Sequence, residues 1–93
     1  MHVGAYYLRL TVYNSRCLKD KRKVVKSIIQ RVRQRYNVSV SEIGSCDEWM
    51  EAELGIAAVS GDSRGTDRVL QGAFKFVDED DRVEVVDYTF RSV

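Results

Sequence analysis

Nine Lys and Arg side chains crowd positions 16 to 35: Arg16, Lys19, Lys21, Arg22, Lys23, Lys26, Arg31, Arg33 and Arg35, with Asp20 the single acid among them. Fixed cations at this density suit one chemistry above others, holding the phosphates of a nucleic-acid backbone, where each contact releases condensed counterions. On a helical wheel Lys19, Arg22, Lys26 and Arg33 fall within about 60° of one another, a stripe able to follow a phosphate backbone. With Arg16 and Lys23 beside it, this stripe supplies the candidate nucleic-acid contacts. Like charges three and four residues apart each cost an isolated helix a few tenths of a kcal/mol. An offset is therefore expected, either from a polyanion or from acidic residues of the chain or of a second copy.

A second group is aromatic and cationic. Tyr7, Arg9 and Tyr13 recur at period two along one segment, and Trp49 opens another. Such groups on an open sheet can stack single-stranded bases, but Glu51 and Glu53 share the face of Trp49 and repel phosphates. The segment also lacks the Lys/Arg-Gly-aromatic pattern of RNA-recognition sheets. Tyr7, Arg9, Tyr13 and Trp49 are therefore read as a candidate homodimer interface.

Cys17 stands where a helix should start, near Arg16, Lys19 and Lys21, surroundings that favour thiolate. Its plainer reading is a helix cap in which sulfur has replaced a hydroxyl. Catalytic chemistry finds no residues: His2 sits at the terminus, Ser60-Gly61-Asp62-Ser63 reads as a helix cap, and no glycine-rich phosphate loop follows a strand. Asp78, Glu79, Asp80 and Asp81 are consecutive, which suits solvation better than paired acid and base work. Two cysteines and one histidine are too few for a four-ligand zinc site or a disulfide scaffold, so no catalytic residue, metal or cofactor is expected.

The elements that position these groups follow from periodicity. Val3 to Tyr13 alternates, with Tyr6, Leu8, Leu10 and Val12 on the core side, the pattern of a half-buried strand. Leu18 to Tyr36 changes to a 3.6-residue period through Leu18, Val25, Ile28, Ile29, Val32 and Tyr36, and Asn37 is expected to end that helix in the left-handed conformation. Val38, Val40 and Ile43 suggest a second strand, Gly44 to Asp47 a turn, and Trp49 to Val59 a third strand with Leu54, Ile56 and Ala58 inward. Val69, Leu70, Ala73, Phe74 and Val77 mark a second helix, and Asp78 to Arg82 an acidic turn. Val83 to Phe90 is a fourth strand whose inward set the alternation does not decide.

Strand, helix, strand, strand, helix, strand is the split βαβ plan. The expected architecture is α+β and ferredoxin-like, an antiparallel sheet in spatial order 4-1-3-2 with both helices on one face. Ninety-three residues support one domain over 1–93, and 44% hydrophobic with 31% charged residues suit a folded soluble chain. No apolar run approaches the roughly 20 residues that span a bilayer, so no membrane partner and a cytoplasmic location are expected. The net charge of +1 conceals a division. Positions 1 to 41 hold ten cations against one acid, and positions 42 to 93 hold five against thirteen.

The stretch Ser15-Arg16-Cys17-Leu18-Lys19-Asp20-Lys21-Arg22 followed by Val24-Val25-Lys26-Ser27 resembles the YlxP-like family of small bacterial proteins, a family of unknown function. Asn37-Val38-Ser39-Val40, Glu42-Ile43-Gly44, Trp49, Leu54-Gly55-Ile56-Ala57 and Phe76-Val77 extend the resemblance over nearly the whole chain. The family pattern usually has serine where this chain has Cys17. The resemblance implies a ferredoxin-like fold. Because family genes often stand beside those for ribosome-binding factor A and translation initiation factors, it also implies a link to ribosome assembly or translation. The leading expectation is a non-enzymatic accessory factor that binds RNA or a ribosomal particle through Arg16, Lys19, Arg22, Lys23, Lys26 and Arg33. The alternative is a homodimeric regulatory or protein-interaction module that binds a protein or small ligand.

Overall fold

The computed structural model describes residues 1–92. Its elements are β1 (His2–Val12), α1 (Leu18–Arg35), β2 (Ser39–Gly44), β3 (Glu51–Ser60), α2 (Ser63–Asp78) and β4 (Val83–Ser92). The strands form one antiparallel sheet in the order β2-β3-β1-β4, which is the expected 4-1-3-2 arrangement of an α+β ferredoxin-like fold.

One face of this sheet makes the core with both helices. Leu8, Leu10 and Val12 from β1 and Ala52, Leu54, Ile56 and Ala58 from β3 are buried against Val25, Ile28 and Val32 of α1 and Leu70, Ala73 and Val77 of α2. Leu8 pairs with Leu54, and Tyr6 with Ile56, so the inward sets meet in register. A slip by one residue would turn every one of these side chains to the open face. Gly4 keeps β1 close to α2, since a Cβ there would stand 2.9 Å from Leu70 Cδ1 and 3.1 Å from Thr66 Cγ2.

Four details depart from the expectations. α1 ends at Arg35, followed by an extended Tyr36 (φ −132°) whose N–H still bonds to the Val32 carbonyl. Among the described residues the positive φ values belong to Asn14 and Ser45 and not to Asn37. The helix thus stops because Tyr36 packs on the core as extended chain, its ring against the Gly72 backbone of α2. Trp49 lies outside β3, which starts at Glu51; it sits in the β2–β3 connection and is 45% exposed.

The third detail is the parity of β4. Val12 pairs with Val83 and Leu10 with Val85, but then Leu8 pairs with Tyr88 and Tyr6 with Phe90. The register shifts between Arg9 and Leu10 of β1, leaving Val86 as the extra residue of a bulge. The inward set therefore changes from odd to even numbers within the strand, which no single alternation can represent. Lys21 is the fourth departure, since it is buried and contributes nothing to the surface charge of α1.

Cys17 occupies the N-cap of α1 with extended backbone, and its side chain makes no capping hydrogen bond. The Asp20 carboxylate instead accepts from the Arg16 N–H at 3.1 Å. At α2, by contrast, Asp62 Oδ1 accepts from the Gly65 N–H at 2.7 Å. Cys17→Ser should therefore stabilise the protein by about 0.5 to 2 kcal/mol, because a hydroxyl accepts the free helix N–H better than sulfur does. Thermal unfolding of the two forms under reducing conditions checks this, and an unchanged or lower midpoint for serine contradicts it.

Candidate nucleic-acid interface

Helical geometry sorts the α1 cations into two flanks around the buried seam. On the β2 side, Arg22, Lys26 and Arg33 rim an open groove of about 400 Å³ whose floor is Val25 and Ile29. Gln30 and Glu42 complete its walls. Arg33 Nη2 donates to the Val40 carbonyl of β2 at 3.0 Å, so this guanidinium is partly engaged by the fold. Lys19 extends the row toward the N-terminus, and Arg16 and Lys23 stand exposed on the solvent side.

On the other flank, Arg31 and Arg35 share a concavity with Glu79, Asp80 and Asp81 of the acidic turn. The Arg35 guanidinium lies 4.9 Å from the centre of the Phe76 ring. Asp80 is gripped by Arg82, whose Nε and Nη2 reach its two carboxylate oxygens at 2.9 and 2.7 Å. That hydrogen bonding, with Arg31 nearby, holds the Asp80 carboxyl below its ordinary range despite partial burial. Arg31 and Arg35 thus stand beside the carboxylates of the acidic turn, although neither makes an ion pair among the described residues.

On the groove side the carboxylate among the lining residues is Glu42, which is paired with buried Lys21. Among the described residues the ion pairs are Arg9–Glu51, Lys21–Glu42, Lys75–Glu79 and Arg82–Asp80. Arg16, Lys19, Arg22, Lys23 and Lys26 are exposed and have no carboxylate within ion-pair distance in that set. Their charges are directed to solvent and act together as one field along the first half of α1.

Beneath this row lies a support absent from the expectations. The Lys21 ammonium donates to the Ser45 carbonyl at 2.8 Å and the Glu51 carbonyl at 3.2 Å, and stands 3.1 Å from Glu42 Oε2. Buried Glu42 Oε2 meets no directional donor, so the ion-pair contact with Lys21 is what compensates it. Ser15 Oγ adds bonds to the carbonyls of Cys17 and Trp49, and the Val12 N–H bonds to the Met50 carbonyl at 2.8 Å. The start of α1 and the whole β2–β3 connection, with Trp49, are therefore tied together. The spacing Leu18, Lys21, Val25, Ile28, Val32 is a continuous three-four repeat, and it already places Lys21 on the buried seam.

The open sheet face carries the other candidates. Tyr7 Oη donates to Glu53 Oε1 at 2.5 Å, Ser45 Oγ to Glu53 Oε2 at 2.8 Å, Arg9 Nη1 to Glu51 Oε1 at 3.3 Å, and Tyr13 Oη to Glu84 Oε1 at 2.9 Å. Tyr13 lies just beyond β1, and Trp49 stands apart in its loop. The face is thus a network of hydroxyls, arginine and carboxylates, and covering it with a flat apolar surface would desolvate three acids. The bonds from Tyr7 and Ser45 lower the Glu53 pKa, and the same bond raises that of Tyr7.

A lowered folded pKa contributes stability above the unfolded value, and that contribution disappears as pH falls through the folded one. Tyr7→Phe should therefore be less stable than wild type at neutral pH. The difference should shrink below the ordinary carboxylate range, where Glu53 is protonated in both. Thermal unfolding across acidic pH checks this, and a difference independent of pH contradicts it.

Among the described residues no group of three or more His, Cys, Asp or Glu side chains is placed to hold a metal ion, and no helix is long and apolar enough to cross a membrane. Cys17 and Cys46 are exposed free thiols.

The family described as a protein of unknown function, DUF503, matches residues 3–90. This chain belongs to that family. The uncharacterized protein YlxP of Bacillus subtilis (strain 168) is 42% identical over 82 residues, covering 88% of this chain and 89% of the relative. Among solved structures, a REP-associated tyrosine transposase bound to a REP hairpin is similar at a TM-score of 0.47 and 9% identity; the match covers 97% of this chain and 56% of the transposase chain.

Proposed function

We propose that this member of the DUF503 family binds structured RNA, free or within a ribonucleoprotein particle, through Arg16, Lys19, Arg22, Lys23 and Lys26 of the α1 region. Arg33 joins at the far end of the groove. The observation that carries the reading is the row of exposed cations without ion pairs on the β2 side of α1, away from the acidic turn that Arg31 and Arg35 adjoin on the other flank. An 18-residue helix rises about 27 Å. Its first half alone can meet several phosphates of one backbone. The fold supports that use, because Lys21 and Ser15 fix the start of α1 to the β2–β3 connection and so prepare the cations before binding. A place in ribosome assembly or translation is the setting this reading assigns to the RNA.

The test is binding to a structured RNA by fluorescence anisotropy over a salt series. With about three or four phosphates neutralised, a fourfold rise in salt should weaken affinity by about 40- to 150-fold. Affinity that hardly changes with salt, or no binding at low salt, contradicts the proposal.

A further inference from the structure

The sheet has two edges, and the chain protects them unequally. β2 is six residues long, its register shifts between Glu42 and Gly44, and its Val40 carbonyl is occupied by Arg33. Short length, a bulge and a cationic cover are the means by which an edge avoids recruiting another strand. β4 has ten residues without proline or lysine, and past its bulge it runs in regular register from Asp87 to Ser92. In the sheet order it has no neighbour on its outer side.

That unprotected stretch is also aromatic. Tyr88 and Phe90 lie on the helix side of β4 and are 57% and 39% exposed. They edge a cluster in which Tyr6 stands 5.0 Å from both Phe74 and Phe90, and Phe74 stands 5.0 Å from Tyr88. Tyr6 of β1 and Phe74 of α2 are partly buried, while Tyr88 and Phe90 along the strand edge are exposed.

We propose that β4 pairs antiparallel with β4 of a second copy about a two-fold axis through Thr89, joining two sheets into one continuous sheet. The residue order selects this register. With the axis at Thr89, Asp87 of each copy faces Arg91 of the other, so the ion pair occurs twice, and Tyr88 of each copy faces Phe90 of the other. Tyr88 and Phe90 share the helix side in both copies, so the aromatic clusters merge on one face and the charge pairs form on the other. Moving the axis to Tyr88 sets Asp87 against Thr89 and Arg91 against Val85; moving it to Phe90 sets Arg91 against Thr89. Both lose the charge pairing.

Such an axis is perpendicular to the sheet and leaves all four helices on one side. α1 packs on β2, at the edge away from the axis, so the two cationic rows remain free at opposite ends of the assembly. This inference does not depend on the RNA reading.

Sedimentation equilibrium of wild type, Asp87→Arg and the double exchange Asp87→Arg with Arg91→Asp tests it. Wild type should be a concentration-dependent dimer. Asp87→Arg should weaken it by about tenfold or more, since two attractive pairs become repulsive, and the double exchange should restore it. Asp87 also lies opposite Arg9 of β1, so circular dichroism checks that the single variant folds. If it does not, exposed Thr89→Lys replaces it, setting two ammonium groups on the axis with the same expected loss. A monomer at high micromolar concentration overturns the proposal, as does a dimer indifferent to the single change or not restored by the double one.

Discussion

Lys21→Met should destabilise the protein by about 3 to 5 kcal/mol, as much as truncating a buried core side chain, although it removes one lysine from a segment rich in them. Methionine keeps much of the buried stem but leaves the Ser45 and Glu51 carbonyls without their donor and Glu42 without its counterion. Glu42→Gln is a milder change, about 1 to 2 kcal/mol, because Lys21 keeps its carbonyl partners and the Glu42 side chain retains some access to water. By contrast, methionine at Lys19, Arg22 or Lys26 should alter stability by less than about 0.5 kcal/mol, since these residues are exposed and make no ion pair among the described residues. Denaturant unfolding of the four lysine and arginine variants separates the two classes. A Lys21→Met protein as stable as Lys19→Met would mean that Lys21 does not secure the β2–β3 connection.

This contrast also marks what could be read in the sequence. β1 was legible because Leu8, Leu10 and Val12 alternate over one uninterrupted face, and α1 and α2 because their apolar stripes are long enough for the 3.6-residue period to stand out. Those periods, with the order of elements, were enough for the sheet order. β4 was legible as a strand but not in its facing, since the bulge at Val86 changes parity between Val85 and Tyr88. Trp49 was drawn into β3 by its β propensity, whereas the Ser15 hydroxyl and Lys21 hold its loop off the strand.

At the candidate site, the stripe of Lys19, Arg22, Lys26 and Arg33 was legible from spacing alone. What spacing left out was compensation. Charge totals suggested that the acidic half could neutralise α1 as a whole, but the turn between α2 and β4 is short and packs beside Arg31 and Arg35 only. Lys21 was counted in the charge of the segment but not among the candidate contacts, and its buried role went unread although its position in the three-four repeat pointed inward. On the open sheet face, Tyr7 and Tyr13 read as bare aromatics because their carboxylate partners lie on other strands, 46 and 71 residues away in the chain.

The measurement that bears most directly on the central claim is RNA affinity after reversing three cations of the row together, Lys19→Glu, Arg22→Glu and Lys26→Glu. All three are exposed and lie off the buried face of α1, so the variant should keep its fold and thermal midpoint within a few degrees. Three phosphate contacts become three repulsions, and affinity for a structured RNA at low salt should fall by more than about 100-fold. Arg31→Glu with Arg35→Glu, on the flank beside the acidic turn, provides the matched control and should lose far less. A triple variant that binds RNA as tightly as wild type, while the flank control does not differ from it, would contradict the assignment of α1 as the nucleic-acid surface.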